Sequence, residues 1–265
     1  MAVSARTGLS ARLLEAVPGT HVARVSATEP GLIAGLGRVE AALAQFPPAA
    51  WRLLARDGDA VEAGTPLVEI SGSASDLAVA EDYVLGPIGF ASGIATRAAQ
   101  FVRTAPPGLR LACGGWKKLP AALKPLLRDG LAVAGVLPRI VDGDFLYVGK
   151  NSVRLLGGVE PAIAAGRALC CGPVSIQVRD EAEALAAVRA GAGIVMVDTG
   201  RVEDLARVQA ALVGAGVRDA ITLAFAGGVR LQDLPAVRAA GADTADIGRA
   251  ILDAPILDLR FEVLN

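Results

Sequence analysis

The chain has 265 residues, about 1.8 times a typical domain of roughly 150 residues, so it is long enough for one large domain or two modest ones. Hydrophobic residues make up 53% and charged residues 20%, which excludes a disordered or fibrous chain. Twenty-six basic residues against 27 acidic ones give a net charge of −1, which argues against the strongly basic class of nucleic-acid-binding domain.

The small number of cysteines and histidines limits the kinds of active site that the chain can form. Cys113 stands alone and Cys170-Cys171 are adjacent, a spacing that fits neither a disulfide framework nor a zinc site. His21 is the single histidine, so a Ser-His-Asp triad without it is impossible, and we interpret it as a surface or structural residue. No apolar run is long enough to span a membrane, and residues 1–6 are not followed by the hydrophobic segment of a signal peptide. We therefore expect a reduced, cytoplasmic protein that uses carboxylates, lysines, arginines, backbone amides or a bound metal.

The first 105 residues are predicted to form a small domain of their own. Turn residues that alternate with short β-branched runs predict an antiparallel sheet with tight turns at Asp57-Gly58 and at Gly64. A helix is predicted from Ser75 to Val102, with Ser75 as its N-cap, and Gly86-Pro87 is expected to interrupt it. The proline-rich loop at residues 104–108 is the best candidate for a domain boundary.

From Leu109 onward, strands and amphipathic helices alternate. The predicted strands are Leu109–Cys113, Val133–Leu137, Phe145–Val148, Val174–Val178, Ile194–Val197, Ile221–Ala226 and Thr244–Ile247. The predicted helices are Pro120–Asp129, Glu160–Ala168, Asp180–Ala190, Val202–Ala215 and Leu231–Ala240. This alternation predicts a parallel sheet, and seven strands without a GxGxxG motif after the first favour a βα barrel. Residues 106–255 are assigned to the barrel, and residues 256–265 are expected to return to the first domain as a further strand.

Reactive groups of a βα barrel lie at the C-terminal ends of its strands, where the loops vary freely. Four cations follow predicted strands and are candidates to surround a polyanion: Lys117, Lys118, Arg139 and Lys150. Any one of these lysines, taken alone, is more simply a solvated surface group. Asp198 directly follows a strand, and it is either a ligand for a magnesium ion carried by a phosphorylated substrate or a turn aspartate.

Glycines follow the last two predicted barrel strands. Gly227-Gly228 and the run Asp246-Ile247-Gly248 have the form of phosphate loops, in which backbone N–H groups close on phosphate oxygens. Glycines after strands also make simple turns, but their presence at both strands favours a phosphate site.

The order of elements and several strings resemble the quinolinate phosphoribosyltransferase family, also called nicotinate-nucleotide pyrophosphorylase (carboxylating), over nearly the whole chain. The most specific match is Ser92-Gly93-Ile94-Ala95-Thr96, which is similar to the family's LSGIAT and follows Glu81–Gly86 at its ERxxLN. Further matches are Gly114–Pro120 at DTRKTTP, Leu137–Arg139 at NHR, Val148–Ser152 at IKDNH, Gln177 at a glutamate, Val197–Thr199 at LDN and Ala226–Gly228 at SGG.

The resemblance implies a fold, an assembly and a reaction. The fold is an N-terminal open α/β sandwich followed by a βα barrel, as in type II phosphoribosyltransferases, and the assembly is a homodimer with shared active sites. The family transfers a phosphoribosyl group from 5-phosphoribosyl-1-pyrophosphate (PRPP), bound with Mg²⁺, to quinolinate and releases carbon dioxide. The implied catalytic residues are Lys117, Arg139, Lys150 and Asp198, with Asp198 also the magnesium ligand. The implied substrate-binding residues are Asp82, Trp116 and Gln177, and the phosphate-binding residues are Gly227, Gly228 and Gly248.

The chain departs from the family where the family binds the two carboxylates of quinolinate. Asp82 and Trp116 stand at two family arginines, Pro138 stands at a histidine, and Gly149 stands at a lysine, with Lys150 one position away. An arginine–carboxylate bond contributes about 1.5–3 kcal/mol, so the loss of two predicts binding of quinolinate weaker on the order of 10³-fold. We expect that quinolinate is not the substrate.

Three functions remain open from the sequence. The first is a phosphoribosyltransferase with a different acceptor, for which Trp116 offers an aromatic face and Asp82 a partner for an amine or ring N–H. The second is a nucleotide- or ribose-phosphate-binding protein without turnover, favoured by Gln177 at the family glutamate. The third is another barrel reaction on a sugar phosphate, such as an aldolase or isomerase with a Schiff base at Lys150.

Overall fold

A computed structural model describes residues 9–45, 50–141 and 143–264. The prediction made for residues 1–6, and parts of the two predicted domains, lie outside the described residues. The helices are α1 (Leu9–Leu13), α2 (Leu36–Gln45), α3 (Ala74–Thr104), α4 (Lys124–Ala134), α5 (Lys150–Leu155), α6 (Val159–Leu169), α7 (Glu181–Arg189), α8 (Val202–Gly214), α9 (Leu234–Ala239) and α10 (Arg249–Leu252). The strands are β1 (His21–Ala27), β2 (Gly31–Leu32), β3 (Ala50–Leu53), β4 (Ala60–Val61), β5 (Pro66–Gly72), β6 (Arg110–Ala112), β7 (Leu146–Val148), β8 (Val174–Val178), β9 (Ile194–Val197), β10 (Thr222–Phe225), β11 (Thr244–Asp246) and β12 (Leu259–Leu264).

The chain divides into two compact units. Unit 1 comprises Met1–Ala99, Leu119–Gly135 and Ala254–Asn265, and unit 2 comprises Gln100–Lys118 and Val136–Asp253. This division differs from the predicted domains chiefly because α4, which we assigned to the barrel, belongs to unit 1. Gly130 of α4 explains the difference, since a side chain there would overlap the Ala91 carbonyl and the Ile94 side chain of α3. The two helices are therefore in close backbone contact.

Unit 1 is built on an antiparallel sheet with the strand order β12-β1-β5-β3. The predicted turns are present, with φ of 99° at Gly58 and 87° at Gly64. The prediction of a single small sheet around them is wrong, because β4 pairs with β2 whereas β5 pairs with β1 and β3. The turn at Gly64 is held to β1 instead, since Gly64 donates its N–H to the Ala27 carbonyl at 2.7 Å and Ala27 donates to Thr65 at 3.0 Å.

The long helix α3 corrects two predictions. Its N-cap is Ser73 and not Ser75: the Ser73 hydroxyl accepts the N–H of Asp76 at 3.1 Å, and the Asp76 carboxylate accepts the N–H of Ser73 at 3.2 Å. The helix also continues through Pro87 without interruption. Proline removes one helical hydrogen bond, but Val84 and Ile88 on either side are fully buried in the unit 1 core, and this packing holds the helix together.

The string Ser92–Thr96 on α3 has a structural role within unit 1. The Ser92 hydroxyl accepts the Ala34 N–H at 2.9 Å, and the Thr96 hydroxyl accepts the Leu32 N–H at 2.9 Å. A side chain at Gly93 would overlap the Pro255 carbonyl, so glycine is required for the C-terminal segment to pass over the helix. That segment continues into β12, which pairs antiparallel with β1. The residues Ser92–Thr96 therefore connect α3 to the segment around Leu32 and Ala34 and to the C-terminal segment of unit 1.

Unit 2 is an α/β unit around a parallel sheet with the strand order β6-β11-β10-β9-β8-β7. The strands follow one another around the sheet, and the first strand lies beside the last, as in a βα barrel. Six of the seven predicted strands are present. The seventh, Val133–Leu137, is wrong as drawn: α4 extends to Ala134, Gly135 ends it with φ of 75°, and Leu137 alone pairs with Ala112.

The longest described helix, α3, has 31 residues. Within the described part of the chain, neither this helix nor any other is both long and apolar enough to cross a membrane.

Candidate active site

Polar side chains gather at the C-terminal ends of the parallel strands of unit 2. Ile194 and Met196 of β9 pack in a buried cluster with Tyr147 of β7, so alternate residues of these strands face the inside of the sheet. Asp198 is the next residue in the row that begins at Ile194. Because parallel strands all end at the same edge, the loops that follow them meet there.

A small cavity of about 110 Å³ opens at this edge. Its wall combines three aromatic rings, two cations and one carboxylate. The lining residues are Gly114, Trp116, Lys117, Arg139, Ile140, Phe145, Tyr147 and Asp246. Its volume is below the roughly 300–1,000 Å³ of a site for a drug-sized ligand, so we expect it to hold one part of a substrate.

Both cations of this cavity lie over aromatic rings. The Lys117 ammonium is 3.9 Å from the centre of the Tyr147 ring and 5.9 Å from that of Trp116. The Arg139 guanidinium is 4.5 Å from the centre of the Phe145 ring. A cation–π contact holds a charge in place without neutralising it, so both groups keep their charge for an anionic or carbonyl group.

Asp246 is the carboxylate of the cavity. Its Oδ1 accepts the N–H of Gly114 at 2.6 Å, and a side chain at position 114 would overlap its Oδ2. Burial raises the pKa of Asp246; the Gly114 hydrogen bond and the positive charges of Lys117 and Lys118 oppose the rise, and the charge of Asp198 adds to it. The site therefore includes an acidic group that is desolvated and close to the lysines.

A second cavity, of about 140 Å³, lies at the ends of β8 and β9. The lining residues are Lys150, Val153, Arg154, Gln177, Val178, Arg179, Glu183 and Asp198. The Gln177 amide joins its two sides: the oxygen accepts the Lys150 N–H at 2.9 Å, and the nitrogen donates to Asp198 at 2.7 Å. Arg179 is paired with Glu183, which leaves Lys150 and Arg154 as the cations available to a ligand.

The acidic and phenolic groups of the edge influence one another. Partial burial raises the pKa of Asp198, although much of the residue is exposed, and Lys150, Lys118 and the Gln177 amide oppose this rise. Burial and the charges of Asp198 and Asp246 raise the pKa of Tyr147 to about 12. The Tyr147 phenol is therefore a hydrogen-bond donor at neutral pH.

The glycines predicted to bind phosphate differ in whether their backbone conformation and surroundings require glycine. Gly227 and Gly228 follow β10 with φ of 107° and 91°, values that favour glycine. Gly227 packs directly on the backbone of Gly200 in the loop after β9, whereas a side chain at Gly228 would point into open space. Gly248 has φ of −82° and space for a side chain, so its geometry does not require glycine.

The structure distributes the predicted site residues over two cavities and two units. Trp116, Lys117 and Arg139 line the first cavity, and Lys150, Gln177 and Asp198 line the second. Asp82 belongs to unit 1, where it is exposed on α3. These positions do not test the roles assigned to the residues, which stay predictions.

Several lining residues were missed by the sequence analysis as site residues, among them Phe145, Tyr147, Arg154 and Asp246. Phe145, Tyr147 and Asp246 lie within predicted strands, and Asp246 was noted only as part of a glycine-containing phosphate loop. The signal that identifies Asp246 is its place two residues after Thr244 at a strand end, on the same face of β11.

The donor set fits a magnesium ion that arrives with its substrate. Among the residues that the structure describes, no cluster of three or more His, Cys, Asp or Glu side chains is arranged to hold a metal. Magnesium is commonly held by one or two carboxylates together with substrate phosphates and water. Asp198, with one oxygen bonded to Gln177 and the other available, is suited to this role.

Asp246→Asn is expected to raise the free energy of unfolding at pH 7 by about 0.5–2 kcal/mol, a typical gain when a destabilising site residue is relieved. Because the folded-state pKa of Asp246 is raised, the cost of ionising it is absent below its unfolded pKa, near 3.9, and develops as the pH rises through the folded-state pKa. Urea unfolding of both proteins at pH 3.5 and pH 7 measures this difference. Exposed Asp219→Asn is the control, and a gain that does not change with pH would contradict the prediction.

Comparisons with known proteins cover both units of the chain. Residues 10–92 match the family model "Quinolinate phosphoribosyl transferase, N-terminal domain", and residues 94–262 match the corresponding C-terminal domain. The chain is 28% identical over 261 residues to the human nicotinate-nucleotide pyrophosphorylase (carboxylating), covering 97% of this chain and 86% of that protein. It is 25% identical over 252 residues to a probable enzyme of the same name from Methanothermobacter thermautotrophicus, covering 92% and 89%.

Solved structures show the same fold. The nicotinate-nucleotide pyrophosphorylase from Francisella tularensis superposes with a TM-score of 0.83 at 22% identity, covering 97% of this chain and 90% of that one. The corresponding protein from Ehrlichia chaffeensis gives a TM-score of 0.85 at 16% identity, covering 97% and 92%. The predicted fold class, an N-terminal α/β domain with a βα barrel, is thereby confirmed. The family matches extend over more than half of the sequence, and the chain belongs to the quinolinate phosphoribosyl transferase family of phosphoribosyltransferases.

Proposed function

We propose that this chain transfers the 5-phosphoribosyl group of PRPP to an acceptor other than quinolinate. The observation that carries the proposal is the composition of the first cavity, where Trp116, Phe145 and Tyr147 supply aromatic walls and Asp246 supplies a carboxylate. Quinolinate is a dianion, and each of its carboxylates needs a cationic partner when it leaves water. A partly buried carboxylate, Asp246, that lines the cavity together with Lys117 and Arg139 disfavours it.

The rest of the edge is suited to the sugar-phosphate donor. We propose that Gly227 and Gly228 bind phosphate through their backbone N–H groups and that Lys150 and Arg154 bind the pyrophosphate. Magnesium bound with the pyrophosphate would neutralise the charge of this leaving group, with Asp198 as its protein ligand.

The transfer breaks the bond from the ribose C1 to the pyrophosphate oxygen and forms a bond from C1 to the acceptor. Positive charge develops on the ribose during this step, and a negative carboxylate near it lowers the barrier. Asp198 and Asp246 are the carboxylates that line the two cavities without a salt-bridge partner among the described residues, since Glu183 is paired with Arg179. The protein otherwise contributes position, because the aromatic walls hold a flat acceptor in a fixed plane.

Two observations bear on the other functions. Lys150 is exposed, whereas a Schiff-base lysine is activated by burial or by a neighbouring cation, which weighs against an aldolase. Gln177 bonds one oxygen of Asp198 with its neutral amide, which favours the second candidate, a protein that binds ribose phosphates without turnover. Release of pyrophosphate from PRPP in the presence of an acceptor distinguishes an enzyme from a binding protein.

PRPP with magnesium is expected to stabilise the protein against heat. A ligand at 100 times its Kd adds about 2.7 kcal/mol, or an increase in Tm on the order of 5–10 °C for a chain of this size. Thermal unfolding and calorimetry with PRPP, with and without magnesium, test this. An unchanged Tm and no heat of binding at millimolar PRPP would contradict the proposed function.

We also propose a homodimer and a reducing, cytoplasmic location. The location rests on the three cysteines, none of which forms a disulfide. The dimer rests on the family resemblance and on exposed apolar residues such as Leu155 of α5, which is 88% exposed.

Light scattering at micromolar concentration is expected to give twice the mass of the chain, 26.9 kDa. Leu155→Glu is expected to shift this mass toward the monomer, with exposed Glu203→Lys as the control. A wild-type monomer at that concentration would argue against shared active sites.

A further inference from the structure

The charged groups of the first cavity disfavour a dianion, and their arrangement also indicates which class of acceptor the cavity binds. Asp246 uses Oδ1 to accept the Gly114 N–H at 2.6 Å. Among the described residues, no side chain or backbone group donates a hydrogen bond to its Oδ2. Lys117 and Lys118 are near enough to lower the pKa of Asp246, but neither forms a hydrogen bond with it. The cavity therefore presents a carboxylate oxygen that lacks a donor.

The other walls of the cavity carry hydrogen-bond donors that lack an acceptor within the described part of the chain. Lys117 and Arg139 are cations held over the Tyr147 and Phe145 rings, and neither has a carboxylate partner among the described residues. Tyr147 adds a protonated phenol, since its pKa is raised to about 12. These groups donate hydrogen bonds, so they favour a ligand with a carbonyl or anionic oxygen on the side away from Asp246.

The size of the cavity bears on the ligand as well. Its volume of about 110 Å³ is of the same order as that of an apolar protein cavity of about 150 Å³ that binds benzene, so it has room for a single ring. Trp116, Phe145 and Tyr147 line the cavity with aromatic surface, and a planar ring packs against the parts of it that Lys117 and Arg139 leave uncovered.

The placement of the charges decides between the remaining ligand classes. A second carboxylate on the ring would meet Asp246, and a cationic ring would meet Lys117 and Arg139. A neutral ring with an N–H donor and a carbonyl acceptor satisfies both walls at once.

We infer that the acceptor is a neutral, single-ring nitrogen heterocycle that carries an amide or lactam group, with its N–H bound by Asp246 and its carbonyl oxygen bound by Lys117 or Arg139. This inference rests on the proposed function, because it names the acceptor class of that same site. Asp246 is then the residue that determines acceptor specificity.

Nicotinamide and nicotinate are the matched probes, because they share one ring and differ only in an amide against a carboxylate. Wild-type protein is expected to bind nicotinamide at least 10-fold more tightly than nicotinate in calorimetry. Asp246→Asn can donate as well as accept, and it is expected to shift that ratio at least 10-fold toward nicotinate. Asp219→Asn, at an exposed position of unit 2, is the control and is expected to leave the ratio unchanged.

PRPP binding measured on the same samples separates this inference from the proposed function. If PRPP binds but nicotinate equals or exceeds nicotinamide, the inference is wrong and the transferase proposal stands. If nicotinamide binds and PRPP does not, the proposed transferase function is wrong, and the bound ring is not an acceptor of a phosphoribosyl group. An unchanged ratio in a folded Asp246→Asn protein that still binds PRPP would also overturn the role of Asp246.

Discussion

Carbon dioxide release from labelled quinolinate, with PRPP and magnesium, is expected to be far below 1 s⁻¹ in this protein. Asp82, Trp116 and Pro138 stand at positions where the resemblance implies arginine, arginine and histidine, and we predict that each loss removes a partner for the two carboxylates. Loss of two charge-assisted bonds alone predicts binding weaker on the order of 10³-fold. Asp246 adds repulsion within the first cavity.

The human relative, whose name describes a carboxylating pyrophosphorylase, is the positive control for this assay. Restoring an arginine to the first cavity in the variant Trp116→Arg is expected to increase quinolinate binding. Turnover near 1 s⁻¹ by the wild-type protein, within the ordinary enzyme range of about 1–10³ s⁻¹, would show that the substitutions are compensated elsewhere. Our interpretation of the cavity would then be wrong.

Gly228→Glu is expected to weaken PRPP binding by about 100-fold or more. The residue follows β10 with φ of 91°, and a side chain there would extend into open space at the edge where we place the phosphate. A glutamate adds both bulk and negative charge at that point. The estimate equals the loss of about two hydrogen bonds to a charged group, each about 1.5–3 kcal/mol.

Gly216→Glu is the matched control for this substitution. Gly216 also has positive φ, 69°, is exposed, and has no atom near the position of an added side chain. It therefore incurs a similar backbone strain away from the proposed phosphate site. Calorimetry with PRPP and magnesium measures both variants. Equal PRPP affinity in folded Gly228→Glu and in wild type would show that the phosphate site is misplaced.

The sequence by itself determined the βα alternation and most of the strand bounds. Val174–Val178 and Ile194–Val197 are strands with the predicted limits, because short apolar runs bounded by turn residues have few other ways to bury themselves. The ends of the predicted strands also led to Lys117, Arg139, Lys150 and Asp198, since barrel chemistry is confined to that edge, although the strand predicted before Arg139 is reduced to the single pairing of Leu137.

Only the tertiary structure decided the features that depend on distant contacts. Local signals at Gly86-Pro87 indicate a break in α3, but the buried neighbours of Pro87 keep the helix continuous. The assignment of α4 to unit 1 depends on the approach of Gly130 to α3, between residues that are remote in the sequence.

The environment of Asp246 in the site likewise depends on contacts between residues that are distant in the sequence. In the sequence it is one acidic residue at a strand end with glycine nearby, and the spacing from Thr244 indicates its face of the strand but not the groups around it. Its desolvation, its bond to Gly114 132 positions earlier, and its place beside Tyr147 and Lys117 arise only when the first and last strands of the sheet become neighbours. Strand periodicity determines which face a residue lies on, whereas the groups that share the cavity with it are determined by how the sheet closes.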